Sequence, residues 1–139
     1  MGSNKKTILV VEDEMGMRDL LGTILEEAGY DVALATNVES AMEAIWDRQP
    51  DMIMLDIILT GTDGMEICRT VRQSPELSHI PIIVMTGKGP DVARKMGLEA
   101  GADDYLPKPF GLAEVTERVA ALFEKYEKKQ KPAQGPGKQ

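Results

Sequence analysis

The segment Met52–Gly64, MIMLDIILTGTDG, decides the fold. Its first four residues, Met52–Leu55, are apolar throughout, and Asp51 and Asp56 flank them. A short apolar run without alternation is typical of a strand that is buried on both faces, as in a parallel sheet between two layers of helices. Asp56 then stands at the carboxyl end of the strand, where open α/β sheets bind their ligands. A carboxylate there contributes little to stability and is well placed for chemistry.

Strand and helix patterns alternate on both sides of this segment. The further predicted strands are Thr7–Val11, Val32–Ala35, Pro81–Met85 and Asp104–Leu106. The predicted helices span about Met15–Ala28, Val38–Asp47, Met65–Arg72, Asp91–Ala100 and Leu112–Tyr126. Strict alternation of this kind predicts one parallel five-stranded sheet with right-handed crossovers and helices on both faces.

Two of the helices carry sequence signals for their first turn. Thr36 with Glu39 predicts a capping box before helix 2, and Asp63 with Glu66 predicts a second cap before helix 3. Gly29 is expected to end helix 1, because glycine adopts the left-handed conformation that often follows a helix.

Length, composition and charge limit the class of protein. The chain has 139 residues, of which 42% are hydrophobic and 28% charged, as in a single soluble domain. Its net charge of −7 argues against nucleic-acid binding by this domain, which requires a basic face. The single cysteine, Cys68, excludes an intramolecular disulfide. Because no apolar run approaches the roughly 20 residues of a membrane span, and because a signal peptide is absent, we expect a cytoplasmic protein without membrane contacts.

The predicted strands end in polar residues that complement one another. Strand 1 is followed by Glu12 and Asp13, strand 3 by Asp56, strand 4 by Thr86 and strand 5 by a segment containing Lys108. The ends of parallel strands share one edge, so we expect these side chains to meet. Carboxylates at close range repel one another and require a cation. Oxygen ligands without His or Cys favour Mg²⁺ or Mn²⁺ over zinc. An Asp beside such an ion is able to act as a nucleophile towards phosphorus.

These residues resemble the receiver domain of bacterial two-component response regulators. The resemblance extends from about Lys6 to Tyr126. It rests on Glu12-Asp13, the pattern Asp-x-x-Leu-x-Gly-x-Asp-Gly over 56–64, Thr86, the sequence Gly-Ala-Asp-Asp-Tyr over 101–105, and Lys108-Pro109-Phe110. Each motif alone is weak, but five in this order and spacing are highly specific.

The resemblance implies a flavodoxin-like (βα)5 fold, a three-layer sandwich with strand order 2-1-3-4-5. It implies that Asp56 accepts a phosphoryl group from a sensor histidine kinase or phosphotransfer protein. Lys108 and Thr86 contact the phosphoryl oxygens in this scheme, and the Lys108–Pro109 bond is cis. The Mg²⁺ ligands implied are Glu12, Asp13, Asp56 and the carbonyl of Ile58.

Signalling in this scheme depends on Thr86 and Tyr105 as switch residues. Thr86 moves towards the phosphate while Tyr105 turns inward, and the face formed by helix 4, strand 5 and helix 5 changes. This face then controls an output partner or domain that the sequence does not identify. A homodimer formed through the same face is also compatible with the sequence. The domain catalyses its own phosphorylation and a slow autodephosphorylation instead of a conventional enzymatic reaction.

The expected organisation is an N-terminal extension over 1–5, a receiver domain over 6–126, and a disordered tail or linker over 127–139, which is rich in Lys, Gln, Pro and Gly. The sequence fits a stand-alone receiver and a piece of a longer protein equally well. Two departures from the family pattern are Thr60, where proline is usual, and Ile58, which we expect to shield the acyl phosphate and lengthen its life.

Three other functions share features with this sequence. A receiver that binds partners without phosphorylation is one alternative, although the intact acid set argues against it. A phosphohydrolase of the haloacid-dehalogenase type is expected to have a second acid at the position of Ile58. A flavin carrier shares the topology, but the acidic turn from Glu12 to Met17 would repel a flavin phosphate.

Overall fold

Five runs of apolar residues form one parallel sheet in the computed structural model, which describes residues 5–59, 62–87, 95 and 99–134. The strands are β1 (Thr7–Val11), β2 (Asp31–Ala35), β3 (Met52–Asp56), β4 (Ile82–Thr86) and β5 (Asp104–Pro107). They lie in the order β2-β1-β3-β4-β5, so β3 is central and the predicted flavodoxin-like topology is confirmed. All residues of β3 and β4 are buried.

The helices cover the sheet on both faces because successive strand residues point to opposite sides. They are α1 (Met15–Glu27), α2 (Val38–Arg48), α3 (Met65–Gln73) and the C-terminal helix (Leu112–Gln134). Leu9, Ile53 and Val84 belong to the core that α2 and α3 cover. Val10 and Met54 belong to the core under α1 and the C-terminal helix. Each fully buried aliphatic side chain of this kind stabilises the fold by about 1.5–3 kcal/mol.

Both predicted helix caps are wrong, although the helices themselves are present. The capping box of α2 is formed by Asn37 and Ser40 and not by Thr36 and Glu39. The side-chain oxygen of Asn37 accepts from the Ser40 amide at 2.8 Å, and the Ser40 hydroxyl accepts from the Asn37 amide at 3.3 Å. The usual capping-box pattern has Glu or Gln as the third helical residue, and here a serine takes that role.

Asp63 does not cap α3, because its backbone is engaged elsewhere. Two-residue strands, Ile58–Leu59 and Thr62–Asp63, pair antiparallel between β3 and α3, with Ile58 opposite Asp63. The helix therefore begins after Gly64, which forms no side-chain cap. A Cβ atom on Gly64 would lie 2.5 Å from the carbonyl oxygen of Asp56, so this position accepts only glycine.

The C-terminal helix is longer than predicted. It continues beyond Tyr126 to Gln134, so the disordered tail or linker predicted over 127–139 is wrong for 127–134 and lies outside the described residues for 135–139. The extension consists largely of Lys, Glu and Gln, which have good helix propensity but no apolar stripe to reveal a helix.

Two other predictions concern the ends of helices. Gly29 follows α1 with a φ of 101°, as expected for a residue that ends a helix. The predicted helix 4, Asp91–Ala100, lies mostly outside the described residues. Thr60 also lies outside them.

Within the described part of the chain, no helix has the length and apolar character that a membrane crossing requires.

Candidate functional site

The strand ends bring the predicted site residues to one edge of the sheet. Glu12 follows β1, Asp56 is the last residue of β3, and Thr86 is the last residue of β4. In the ladder Asp56 lies opposite Met85, which places Thr86 one step further along the neighbouring strand. Thr86 in turn lies opposite Pro107, and the Lys108 amide donates to its carbonyl at 2.8 Å. The parallel register alone therefore aligns these residues.

Three carboxylates form an acidic pocket at this edge. One oxygen of each of Glu12, Asp13 and Asp56 lies within 4.8 Å of one oxygen of the other two. Glu12 and Asp56 are buried, with 1% and 6% of their surfaces exposed, whereas Asp13 is half-buried. Burial raises the pKa of Glu12 above its usual range, and the nearby charge of Asp56 acts in the same direction, while Lys108 opposes both. Such acids require a cation close by.

Lys108 supplies a positive charge inside the pocket. Its Nζ atom donates to Glu12 Oε1 at 2.8 Å and to Asp56 Oδ2 at 3.0 Å. Burial by itself would lower the pKa of Lys108, but the hydrogen bonds and charges of Glu12 and Asp56 outweigh it and raise the pKa above its usual value. The lysine is therefore charged at neutral pH and bridges the two most buried acids.

The backbone of Glu12 is fixed by contacts that sequence reasoning did not find. Its amide donates to the carbonyl of Ala35 at 3.0 Å, and its carbonyl accepts from Nη1 of Arg18 at 3.1 Å. The Glu14 amide donates to Glu12 Oε2 at 3.2 Å. Glu14 also caps α1, because its carboxylate accepts from the Met17 amide at 2.6 Å. No spacing rule distinguishes Arg18 from any other arginine in the first turns of a helix.

The two predicted switch residues lie on neighbouring strands. The side chain of Thr86 is buried at the end of β4, and Tyr105 is half-buried on β5 and packs against the core under α2 and α3. Val84 and Tyr105 lie opposite each other in the ladder. The Lys108–Pro109 peptide bond is cis, as the resemblance implied. Ile58 belongs to the short antiparallel pair, and its side chain lies outside the described residues.

Comparison with known protein families identifies this arrangement. The model of the response regulator receiver domain matches residues 8–120. The chain belongs to this family. The receiver domain is therefore part of two-component signalling, as the sequence motifs predicted.

Relatives of this receiver domain agree with the assignment. The chain is 43% identical over 118 residues to the phosphate regulon transcriptional regulatory protein PhoB of Pseudomonas aeruginosa, covering 85% of this chain and 52% of that protein. The chain thus spans about half the length of this curated relative.

Two solved structures are similar in fold. A response regulator from Chloroflexus aurantiacus has a TM-score of 0.82 and 38% identity, covering 86% of this chain and 98% of its own. A CheY-like receiver domain protein from Methanospirillum hungatei has a TM-score of 0.84 and 26% identity, covering 91% of this chain and 99% of its own.

The pocket of the receiver domain fits a hard divalent cation. The potential ligand atoms found together in the described part of the chain are carboxylate oxygens of Glu12, Asp13 and Asp56. Mg²⁺ and Mn²⁺ prefer oxygen ligands, and Mg²⁺ binds through one or two carboxylates together with waters and phosphate oxygens. An added divalent charge would also relieve the repulsion between these acids, two of which Lys108 contacts.

Proposed function

We propose that Asp56 is the phosphoacceptor of a phosphorylation-activated signalling switch. The observation that carries this proposal is the juxtaposition of three carboxylates within 4.8 Å of one another, two of them bound by Lys108. Family membership over residues 8–120 supports it, because receiver domains act in two-component signalling. The donor is a phosphohistidine of a sensor histidine kinase or of a phosphotransfer protein.

In the proposed reaction, a carboxylate oxygen of Asp56 attacks phosphorus and forms an acyl phosphate. The bond between phosphorus and the imidazole nitrogen of the donor breaks, and the nitrogen keeps the electron pair and takes a proton from solvent. Lys108 already lies at Oδ2 of Asp56, where its ammonium group stabilises the charge of the transferred phosphoryl oxygens. Thr86 offers a hydroxyl from the neighbouring strand to the same oxygens.

Glu12 and Asp13 would hold Mg²⁺ or Mn²⁺ together with Asp56 and the carbonyl of Ile58. When bound, the cation would neutralise negative charge on the phosphoryl oxygens during the in-line transfer. Glu12 is rigidly placed for this role, since its amide, carbonyl and both carboxylate oxygens all have hydrogen-bond partners.

The output of the switch is carried by the face that contains β5 and the C-terminal helix. The side chain of Thr86 moves towards the new phosphoryl group, and Tyr105 turns inward in response. The changed face then binds a different partner, an attached output domain or a second copy of the chain. Residues 6–126 form the receiver domain in this proposal. We place the protein in the cytoplasm, without direct contact to nucleic acid or membrane.

A receiver that binds partners without phosphorylation is the second candidate. Its acids would be under no requirement to meet, whereas Glu12, Asp13 and Asp56 do meet. A phosphohydrolase of the haloacid-dehalogenase type is expected to carry an acid at position 58, and this chain has isoleucine there. Both alternatives differ from the switch in a single phosphorylation experiment.

The experiment is incubation of the full chain with acetyl phosphate and MgCl2, followed by intact-mass measurement. The switch requires the gain of one phosphoryl group, lability to hydroxylamine, and loss of the gain in Asp56→Asn and in excess EDTA. Asp47→Asn is the matched control, because Asp47 is exposed on α2. An unmodified mass in the parent protein would contradict the proposal, and multiple turnovers of acetyl phosphate would favour the hydrolase.

A further inference from the structure

A second polar cluster lies at the opposite edge of the sheet and centres on Asp103, the residue before β5. Its Oδ2 atom accepts from Nη2 of Arg72 at 2.7 Å and from the Ile82 amide at 2.8 Å. Its Oδ1 atom accepts from the hydroxyl of Tyr126 at 2.7 Å. One carboxylate thus connects α3, β4 and the C-terminal helix at the point where β5 begins. Nothing in the proposed phosphorylation chemistry uses it.

Arg72 makes this anchor rigid. Besides Asp103, it donates through Nε to the carbonyl of Gly101 at 2.7 Å and through Nη1 to the carbonyls of Ile80 at 2.7 Å and Ser78 at 3.1 Å. These bonds fix the loop before β4 and the loop before β5 to the end of α3. Asp103 and Arg72 together thus connect α3 to both loops, and Tyr126 is the group that brings the C-terminal helix to Asp103.

Among the C-terminal helix residues whose burial is described, which end at Lys128, Tyr126 is the last that packs against the core. One turn earlier, the ring of Phe123 stacks on Tyr30 with a centroid distance of 5.6 Å, and Lys6 Nζ lies 5.4 Å from the centroid of Phe123. Burial and the hydrogen bond to Asp103 raise the pKa of Tyr126 to about 12, so its hydroxyl remains a donor at every physiological pH. Within the described side chains, this hydroxyl thus holds the C-terminal helix to the start of β5.

The strand between the two edges connects this cluster to the acidic pocket. Asp103 precedes β5 and Lys108 follows it, about 16 Å apart at the rise of an extended strand. Backbone hydrogen bonds to β4 hold the strand at both ends, from the Asp103 amide to Ile82 at 2.9 Å and from the Lys108 amide to Thr86 at 2.8 Å. A single strand of four residues therefore links the acidic pocket to Asp103.

The C-terminal helix is fastened to β5 at a second point as well. Nη1 of Arg118 donates to both carboxylate oxygens of Asp104, at 3.0 and 3.2 Å, and to the carbonyl of Tyr105 at 2.9 Å. Arg118 lies two turns before Tyr126, so the C-terminal helix contacts the strand region at two positions along its length. Of these two contacts, the one made by Tyr126 lies next to residues 127–134.

We propose that the hydrogen bond from Tyr126 to Asp103 is a latch that fastens the end of the C-terminal helix to β5 and passes displacements of β5 to residues 127–134. The latch is a property of the unphosphorylated fold, whereas the transmission rests on the proposed phosphorylation of Asp56. The helical extension then leaves the core in a direction that the latch fixes, and a changed position of Lys108 changes how firmly it is held.

The first test compares hydrogen–deuterium exchange in the unmodified full chain and in Tyr126→Phe, which removes one hydroxyl and keeps the ring. We expect amides in peptides covering 120–134 to exchange about three- to tenfold faster in Tyr126→Phe, the loss expected for one net hydrogen bond. Tyr30→Phe is the matched control, because the described residues give the Tyr30 hydroxyl no hydrogen bond although its ring packs on the same helix. Equal exchange in Tyr126→Phe and the parent overturns the latch.

The second test adds beryllofluoride with MgCl2, a phosphoryl mimic whose binding at Asp56 is followed separately by ¹⁹F NMR. We expect exchange over 120–134 to change in the parent and in Tyr30→Phe, and to change at most half as much in Tyr126→Phe at equal occupancy. An equal change in all three proteins overturns the transmission, as does no change in an occupied parent. Failure of the mimic to bind contradicts the proposed function, and the first test still decides the latch.

Discussion

The Nζ atom of Lys108 lies 3.0 Å from Oδ2 of Asp56, although 52 positions separate the two residues in the sequence. The same ammonium group lies 2.8 Å from Oε1 of Glu12. Lys108 thus acts as the internal counter-ion of the pocket, which explains how two buried acids are tolerated side by side. The same contact positions the lysine for phosphoryl oxygens, so stability and the proposed chemistry depend on one side chain.

Lys108→Met is expected to destabilise the protein when divalent cations are absent. The substitution leaves Glu12 and Asp56 buried without their shared cation, and loss of one partner of a buried ion pair typically costs several kcal/mol. Because the Lys108 side chain is 21% exposed, we expect a smaller loss, about 1–3 kcal/mol. Urea unfolding in EDTA at pH 7 measures it, with Lys125→Met, an exposed lysine on the C-terminal helix, as control. A variant as stable as the parent would contradict the counter-ion role.

Gly64→Ala is expected to disturb the strand end that carries Asp56. The new Cβ would lie 2.5 Å from the Asp56 carbonyl oxygen and 2.9 Å from Cα of Ile57, and these are backbone atoms that cannot rotate away. We expect a loss of about 1–3 kcal/mol in the free energy of unfolding, the usual range for overpacking. The rate of phosphorylation by acetyl phosphate should fall at the same time.

Gly111→Ala is the matched control for this substitution, because the Cβ that it would add meets no described atom within 4 Å apart from those of its chain neighbours. Its stability and phosphorylation rate should match those of the parent. If Gly64→Ala behaved like Gly111→Ala, the close approach of Gly64 to the strand end would not constrain Asp56.

The fold and the pocket were predictable because both depend on where apolar runs end. A short apolar segment predicts each strand of the sheet. The parallel topology then places Glu12, Asp56 and Lys108 at one edge of the sheet. The prediction that Asp56 stands at the end of a buried strand needed only the residues around it. Burial, distance and charge then follow from the register of the sheet.

The features that escaped prediction depend on backbone atoms or on pairs distant in sequence. Ser40 replaces the expected glutamate as a cap partner, and Gly64 instead of Asp63 is the residue before α3, because the backbone of Asp63 is paired with Ile58. Arg72 binds mainly carbonyl groups, which carry no sequence signal, and Tyr126 reaches Asp103 from 23 positions away. Periodicity detects apolar faces and cannot detect such contacts.

Cys68 is expected to make stability fall at high pH. It is fully buried in α3, and burial raises its pKa from 9.0 to about 11. Because the unfolded chain releases the thiol proton first, the contribution of Cys68 is complete below pH 9 and is lost as the pH rises towards 11. The loss is on the order of 1–2 kcal/mol by pH 10.5.

Urea unfolding of the parent and of Cys68→Ala between pH 8 and pH 10.5 measures this contribution. The alanine variant lacks the thiol, so its free energy of unfolding should fall less over this interval than that of the parent. Parallel pH profiles for the two proteins would show that the thiol ionises equally easily in the folded and unfolded chains.

Magnesium is expected to stabilise the protein through Asp13. Glu12 and Asp56 are buried, whereas Asp13 is half-buried, so Asp13 is the most exposed of the three acids to an entering ion. A ligand present at ten times its dissociation constant adds about 1.4 kcal/mol to the free energy of unfolding. The parent should show this gain as MgCl2 is added, and Asp13→Asn should lose it, because the substitution removes one of the three carboxylates that would hold the ion. Thermal unfolding over a MgCl2 series measures both effects, with Asp19→Asn, exposed on α1, as control. A magnesium response that persists in Asp13→Asn and disappears in Asp19→Asn would place the cation outside the acidic pocket.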